Sequence, residues 1–147
     1  MPNLFFEETP LYGQVGFINR YTREYIQMRS GLYFVFGDNV ERRGFGGQAK
    51  EARGLKNTVG IVTKWKPTRT PDAFFSDSDE CFELVEKDLL RVVDLLDTRN
   101  DVVFPRDGIG TGLANLAVHA PKLDHYIKTY INTLADKYGK FHITLGK

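Results

Sequence analysis

The stretch Val102-Val103-Phe104-Pro105-Arg106-Asp107-Gly108-Ile109-Gly110-Thr111-Gly112-Leu113 runs from β-branched and aromatic residues into glycines at every second position. Such an apolar run is of strand type, because branched and aromatic side chains fit a pleated, half-buried surface. The glycines permit dihedrals closed to other residues and leave no side chain to obstruct a close ligand. The stretch therefore predicts a strand followed by a loop whose backbone N–H groups could face a phosphate, with a helix or nest beyond it adding donors and partial positive charge. By itself the pattern reads equally as a tight turn. The common nucleotide fingerprints do not match. There is no G-x-x-x-x-G-K-[ST], and Asn115 stands where the dinucleotide pattern needs its third glycine.

The same arrangement occurs upstream. Leu32-Tyr33-Phe34-Val35-Phe36 precedes Gly37-Asp38-Asn39, and Arg42-Arg43-Gly44-Phe45-Gly46-Gly47-Gln48-Ala49 follows. Asp38 and Asn39 read either as grips for ribose hydroxyls or as turn and cap residues, which Asp and Asn favour through local hydrogen bonds. A third strand is predicted over Thr58-Val59-Gly60-Ile61-Val62-Thr63, running into Lys64, and a fourth over Phe141 to Leu145. Their continuous apolarity predicts burial on both faces.

Two stretches have helical period. Cys81, Val85, Leu89, Val92, Val93 and Leu96 recur at three or four residues from Asp79 to Leu96, behind the capping candidates Ser76 and Ser78. Leu123, Ile127, Tyr130, Ile131 and Leu134 form a second stripe from Pro121 to about Ala135, with Pro121 suited to the first turn and Gly139 available past the end. A shorter helix is expected around Gly47, carrying Gln48, Ala49 and Ala52. Strands alternating with helices predict an α/β sandwich around a largely parallel sheet, with ligands beyond the carboxyl ends of the strands. The loops after Phe36, Thr63 and Phe104 should share one rim.

Composition narrows the alternatives. The 147 residues suit one domain, and 41% hydrophobic with 27% charged residues is ordinary globular usage. A formal charge of +1 implies no whole-molecule field toward nucleic acid or acidic membranes. Cys81 is the single cysteine, which excludes an internal disulfide and suits a reducing compartment. Met1 to Pro10 lacks a basic region ahead of an apolar core, and no apolar run reaches membrane-spanning length. A cytoplasmic, membrane-free and monomeric protein is the expectation. His119, His125 and His142 fit no metal spacing, so no metal is expected. The run Glu83, Glu86, Lys87, Asp88 and Arg91 reads as the solvated face of its helix.

Read together, these stretches resemble the macrodomain-like branch that includes terminal ADP-ribose protein glycohydrolase and the antitoxin enzymes that strip ADP-ribose from DNA. Ile61-Val62-Thr63-Lys64 stands where that family has a strand ending in its catalytic Thr-Lys. Phe104-Pro105-Arg106 and Ile109-Gly110-Thr111-Gly112-Leu113 look like its Pro-Arg strand end and phosphate loop. Asn39 and Phe45-Gly46-Gly47-Gln48-Ala49 look like its distal-ribose segment. The order persists from about Gly31 to Tyr138. The resemblance implies a three-layer α/β/α sandwich with a mostly parallel, mixed sheet. It implies ADP-ribose, free or carried on a protein or DNA, as ligand, with no cofactor. The implied ligand-binding residues are Asp38, Asn39, Phe45, Gly46, Gly47, Gln48, Thr63, Pro105, Arg106, Gly108, Ile109, Gly110, Thr111, Gly112 and Leu113. Lys64 is then the nucleophile: its amine attacks the anomeric carbon and opens the ribose through a Schiff-base type intermediate.

The chain departs from the family in two places. Ala114 occupies the position of the acidic partner, so Asp107, in the insertion Asp107-Gly108, is the candidate replacement, although Asp-Gly also reads as a turn. Asp38 is another candidate with the same ambiguity. The segment Phe17 to Ser30 has no clear adenine-binding acid; Glu24 is the nearest, and Tyr21, Tyr25 or Phe75 offer aromatic surfaces. Two other functions stay open. One is a reader that binds ADP-ribose without chemistry. The other is a single-stranded nucleic-acid binder, using Arg42, Arg43, Phe45, Lys64, Trp65, Lys66 and Arg69.

Overall fold

A computed structural model describes residues 11–146. The expectation made for Met1 to Pro10 lies outside the described residues. The chain is α/β. Strands β1 (Val15–Ile18), β2 (Leu32–Asn39), β3 (Thr58–Lys64), β4 (Asp101–Pro105) and β5 (Lys140–Ile143) form one sheet in the order β3-β2-β4-β1-β5. Every pairing within the sheet is parallel, in keeping with the largely parallel sheet expected and without the antiparallel strand that a mixed one would add. The helices are α1 (Arg23–Met28), α2 (Ala49–Ala52), α3 (Asp79–Asp97), α4 (Leu116–His119) and α5 (Pro121–Tyr138).

Alternating strand residues divide the core between two faces. Phe34, Phe36, Ile18 and Val103 pack with Ile26 of α1 and with Ala49 and Ala52 of α2. Val35, Ile61, Val102 and Phe104 pack with the α3 stripe Val85, Leu89, Val92 and Leu96 and with Leu123, Ile127 and Ile131 of α5. The two helices read from their period begin as expected, with Ser78 accepting from Cys81 N at 3.3 Å to cap α3 and Pro121 opening α5. Each runs slightly further than its apolar stripe. No side chain of its own residues caps α5; Asp77 Oδ1 accepts from Leu123 N at 2.9 Å instead.

Chain direction positions the site. From β1 through β2 to β3 the chain moves to one edge of the sheet with α1 and α2 on one face. It then returns through β4 to β5 with α3 and α5 on the other. Neighbouring β2 and β4 thus send their following segments to opposite faces, which opens a crevice at their carboxyl ends. The fork is visible in the ladder. Pairing of β2 with β4 ends at Phe34 and Val103; beyond it β2 pairs with β3 as far as Lys64, and β4 with β1 as far as Pro105. The Tyr21 hydroxyl sits in the fork, within reach of the Val35 and Val103 carbonyls, and burial pushes its pKa well up.

Candidate functional site

The crevice is a cleft of about 350 Å³, within the range of small-molecule sites. Segments from four strand ends line it: Asn19 to Tyr21 after β1, Gly37 to Asn39 of β2, Thr63 and Lys64 of β3, and Pro105 and Asp107 at the end of β4. The two glycine loops close it from either side, through Gly46, Gly47 and Gln48 and through Gly110 to Ala114.

Gln48 ties these walls together. Its Oε1 accepts from Gly37 N at 2.9 Å, and its Nε2 donates to Gly108 O at 3.0 Å. The amide spans the fork, so Gln48, expected to touch a ligand, lines the cleft and also sets the spacing between β2 and the loop after β4. That loop returns into α4 through Leu116 N donating to Gly110 O at 3.0 Å and Asn115 N to Gly112 O at 3.0 Å. The amide N–H groups of Gly110 to Ala114 donate to no carbonyl or side chain among the described residues. Gly110 takes φ +74°, and a Cβ there would stand 2.4 Å from Leu116 Cδ1. Only glycine lets this backbone lie so close to the core.

Lys64 ends β3 and is buried, with 7% of its surface exposed. Its Nζ donates to Thr68 O at 2.7 Å and lies 5.2 Å from the centre of the Phe74 ring. Burial, then the nearby Arg69 guanidinium, lowers the pKa of its amine. Lys64 and the uncommitted amides of Gly110 to Ala114 therefore belong to residues lining one cleft. Thr63 is buried and donates through Oγ1 to Asp38 O at 3.2 Å. Asn39 is buried; its Nδ2 donates to Arg43 O at 2.7 Å, while its Oδ1 has no partner. That oxygen is itself buried, an acceptor without a partner among the described residues.

Several sequence expectations need correction. The Asp38 carboxylate is buried in ion pairs with Arg53 and, at 3.4 Å, Arg42, and it accepts from Asn39 N at 2.8 Å. Asp38 lines the cleft, but its carboxylate is committed to these partners and anchors the walls, and Gly60 leaves room for it, since a Cβ there would meet Asp38 Oδ2 at 2.5 Å. Asp88, read as part of a solvated face, is 3% exposed. It holds Arg42 through both oxygens, at 2.8 and 2.9 Å, and accepts from Val62 N at 2.9 Å. Arg106 turns away from the cleft to Ile143 O and Thr144 Oγ1, at 3.3 and 3.2 Å. Ile109 is a core residue. Gly108 is occupied by its bonds with Pro105 O and Gln48, and Phe45 is exposed and lines no part of the cleft. Phe75 and Tyr25 pack into the cores and Glu24 is exposed on α1.

Asp107 is exposed at the cleft, in the turn closed by Gly108 N to Pro105 O at 2.9 Å. Ala114 is buried at the cleft. Sequence reading missed Arg53, Asn19 and Pro67 as lining residues, while Tyr21, one of the aromatics it offered for the adenine end, does line the cleft. For Arg53 a signal existed: an acid at the end of a buried strand needs a cationic partner. Among the described residues no group of three or more His, Cys, Asp or Glu could hold a metal ion. No described helix is long and apolar enough to cross a membrane.

A family model described as a family of unknown function, DUF7831, matches residues 16–130. The chain belongs to this DUF7831 family. The matched segment runs from β1 into α5 and takes in every residue lining the cleft. No curated protein and no solved structure matches the chain.

Proposed function

We propose that this DUF7831 protein binds ADP-ribose in the fork between β2 and β4 and removes it from a carrier molecule, with Lys64 as nucleophile. One observation carries the proposal: a buried amine of lowered pKa and a run of uncommitted backbone N–H groups line the same cleft. The amides suit a diphosphate, since converging N–H dipoles bind anions without a lysine or metal.

In the proposed reaction the Lys64 amine forms a bond to the anomeric carbon while the attached group leaves with a proton. The bond from the anomeric carbon to the ring oxygen then breaks, the nitrogen's proton passing to that oxygen, and the resulting open-chain Schiff base takes up water, which frees ADP-ribose and regenerates the amine. Asp107 is the exposed carboxylate of the cleft available to move protons. The Ala114 position favours a second reading, a binder without turnover, because an alanine at the cleft has no proton to exchange. Nucleic-acid binding draws less support: Arg42 is tied to Asp88, Arg43 to Glu41 and Lys66 to Asp72.

The deciding experiment incubates the protein with ADP-ribosylated protein, ADP-ribosylated DNA and free ADP-ribose, following release, binding and borohydride-trapped adducts. Release that disappears in Lys64→Ala, with an adduct mapped to Lys64, is the expected result. Binding without release on any carrier selects the reader, and neither binding nor release discards both.

A further inference from the structure

The loop following β3 folds back on the cleft lysine. Lys64 forms an isolated antiparallel bridge with Phe74, and Trp65 N donates to Ala73 O at 2.8 Å. The next pair inward, Lys66 and Asp72, closes a salt bridge at 2.6 Å between exposed side chains. Thr70 Oγ1 donates to Asp72 Oδ1 at 2.6 Å and lies 2.7 Å from Thr68 Oγ1. This ladder presents the Thr68 carbonyl to the Lys64 amine. Pro67 lines the cleft and lies against the loop after β2, where a Cβ on Gly44 would stand 2.9 Å from Pro67 Cβ. The segment thus engages the amine and touches the neighbouring loop of the cleft wall.

We propose that residues 65–73 form a clasp, fastened by Lys66 and Asp72, that sequesters the Lys64 amine on the Thr68 carbonyl and must open before the amine meets any electrophile. The proposal rests on the functional reading only in taking Lys64 as the reactive group. Its fastening is an exposed ion pair, weak and salt-sensitive, which suits a gate that opens often. The loop hydrogen bonds and the Phe74 ring return it to the closed position. While closed, the Thr68 carbonyl holds an amine N–H, and the amine is engaged by its own loop.

Reductive methylation of the free protein with formaldehyde and cyanoborohydride, read residue by residue by peptide mass mapping, tests this directly. In the wild-type protein Lys64 should be labelled much more slowly than exposed Lys50 and Lys122. Asp72→Ala and Lys66→Gln should each speed Lys64 labelling about two- to five-fold, the scale of an exposed ion pair, and leave Lys50 and Lys122 unchanged. The charge-swapped double variant Lys66→Asp with Asp72→Lys should return the rate toward that of wild type, a rescue that general loosening of the fold would not produce. Wild-type Lys64 reacting as fast as Lys50, or no acceleration in either single variant, overturns the clasp. No nucleotide is present, so failure of ADP-ribose binding would discard the proposed function without touching this result.

Discussion

At Gly110 the backbone takes a positive φ with the Leu116 side chain directly behind it. Gly110→Ala adds a methyl to a space already filled and strains the left-handed conformation. A destabilisation of about 2–4 kcal/mol in denaturant titrations is expected, together with loss of ligand affinity as the amides of Gly110 to Ala114 shift. Unchanged stability would mean that the loop does not adopt this geometry. Lys64 invites a pH experiment. Burial and Arg69 both favour the neutral amine, so its labelling or turnover should reach half-maximum below the ordinary lysine range. Arg69→Met removes one of these causes, so the folded pKa rises and the midpoint moves to higher pH. A midpoint that stays put would show that Arg69 does not act on the amine.

Elements are held around the cleft by charges that their own periodicity does not explain. Asp88 lies on α3, yet its carboxylate holds the Arg42 guanidinium from the loop after β2 and caps Val62 N in β3. One side chain thereby pins a helix, a strand and the loop leading to the cleft wall. The side chain of Arg42 is 42% exposed, so water screens part of the pair and the loss is smaller than for a wholly buried bridge. Asp88→Ala is expected to cost about 1–3 kcal/mol by leaving Val62 N and the Arg42 Nη2 group without their acceptor. Hydrogen exchange should show the 40–47 segment opening before the rest of the sheet. A variant whose exchange pattern matches the wild type would deny the pin its role.

For the molecule as a whole, high pH is the informative stress. Tyr126, through burial and its bond to Glu86, and Tyr138, through its bond to Asp97 and then burial, are each pushed up to about 12, above the ordinary tyrosine value near 10. Between about pH 10 and 12 the unfolded chain releases these protons and the folded chain keeps them, so the stability they contribute below that window is lost as pH rises through it. Tyr138→Phe should cost about 1 kcal/mol at neutral pH for the lost Asp97 bond and flatten the alkaline decline of stability. An equally steep decline in the variant would place the titration elsewhere.

Much of this architecture was legible without coordinates, because period and composition report burial. The stripes of α3 and α5, the runs of β2, β3 and β4 and the glycine loops behind two of them each carry a local signal that survives in the fold. β1 and α1 were not legible. Val15–Ile18 is four residues long and Arg23–Met28 six, too short to show a period, and both form because a sheet face was waiting to receive Ile18 and Ile26. Side-chain direction was equally out of reach. Arg106 sits beside the phosphate-loop candidate in sequence and points to the C-terminal strand; Asp88 looks solvated in its helix and is buried.

The sequence by itself determined the α/β class, the major elements and the two glycine loops at strand ends, since these depend on neighbours a few residues apart. Only the tertiary structure decided that β2 and β4 part company, that Gln48 bridges the gap and that Lys64 and the Gly110 to Ala114 loop line one cleft there. Those depend on strand order and on which cations neutralise which buried acids, quantities set by contacts between residues distant along the chain.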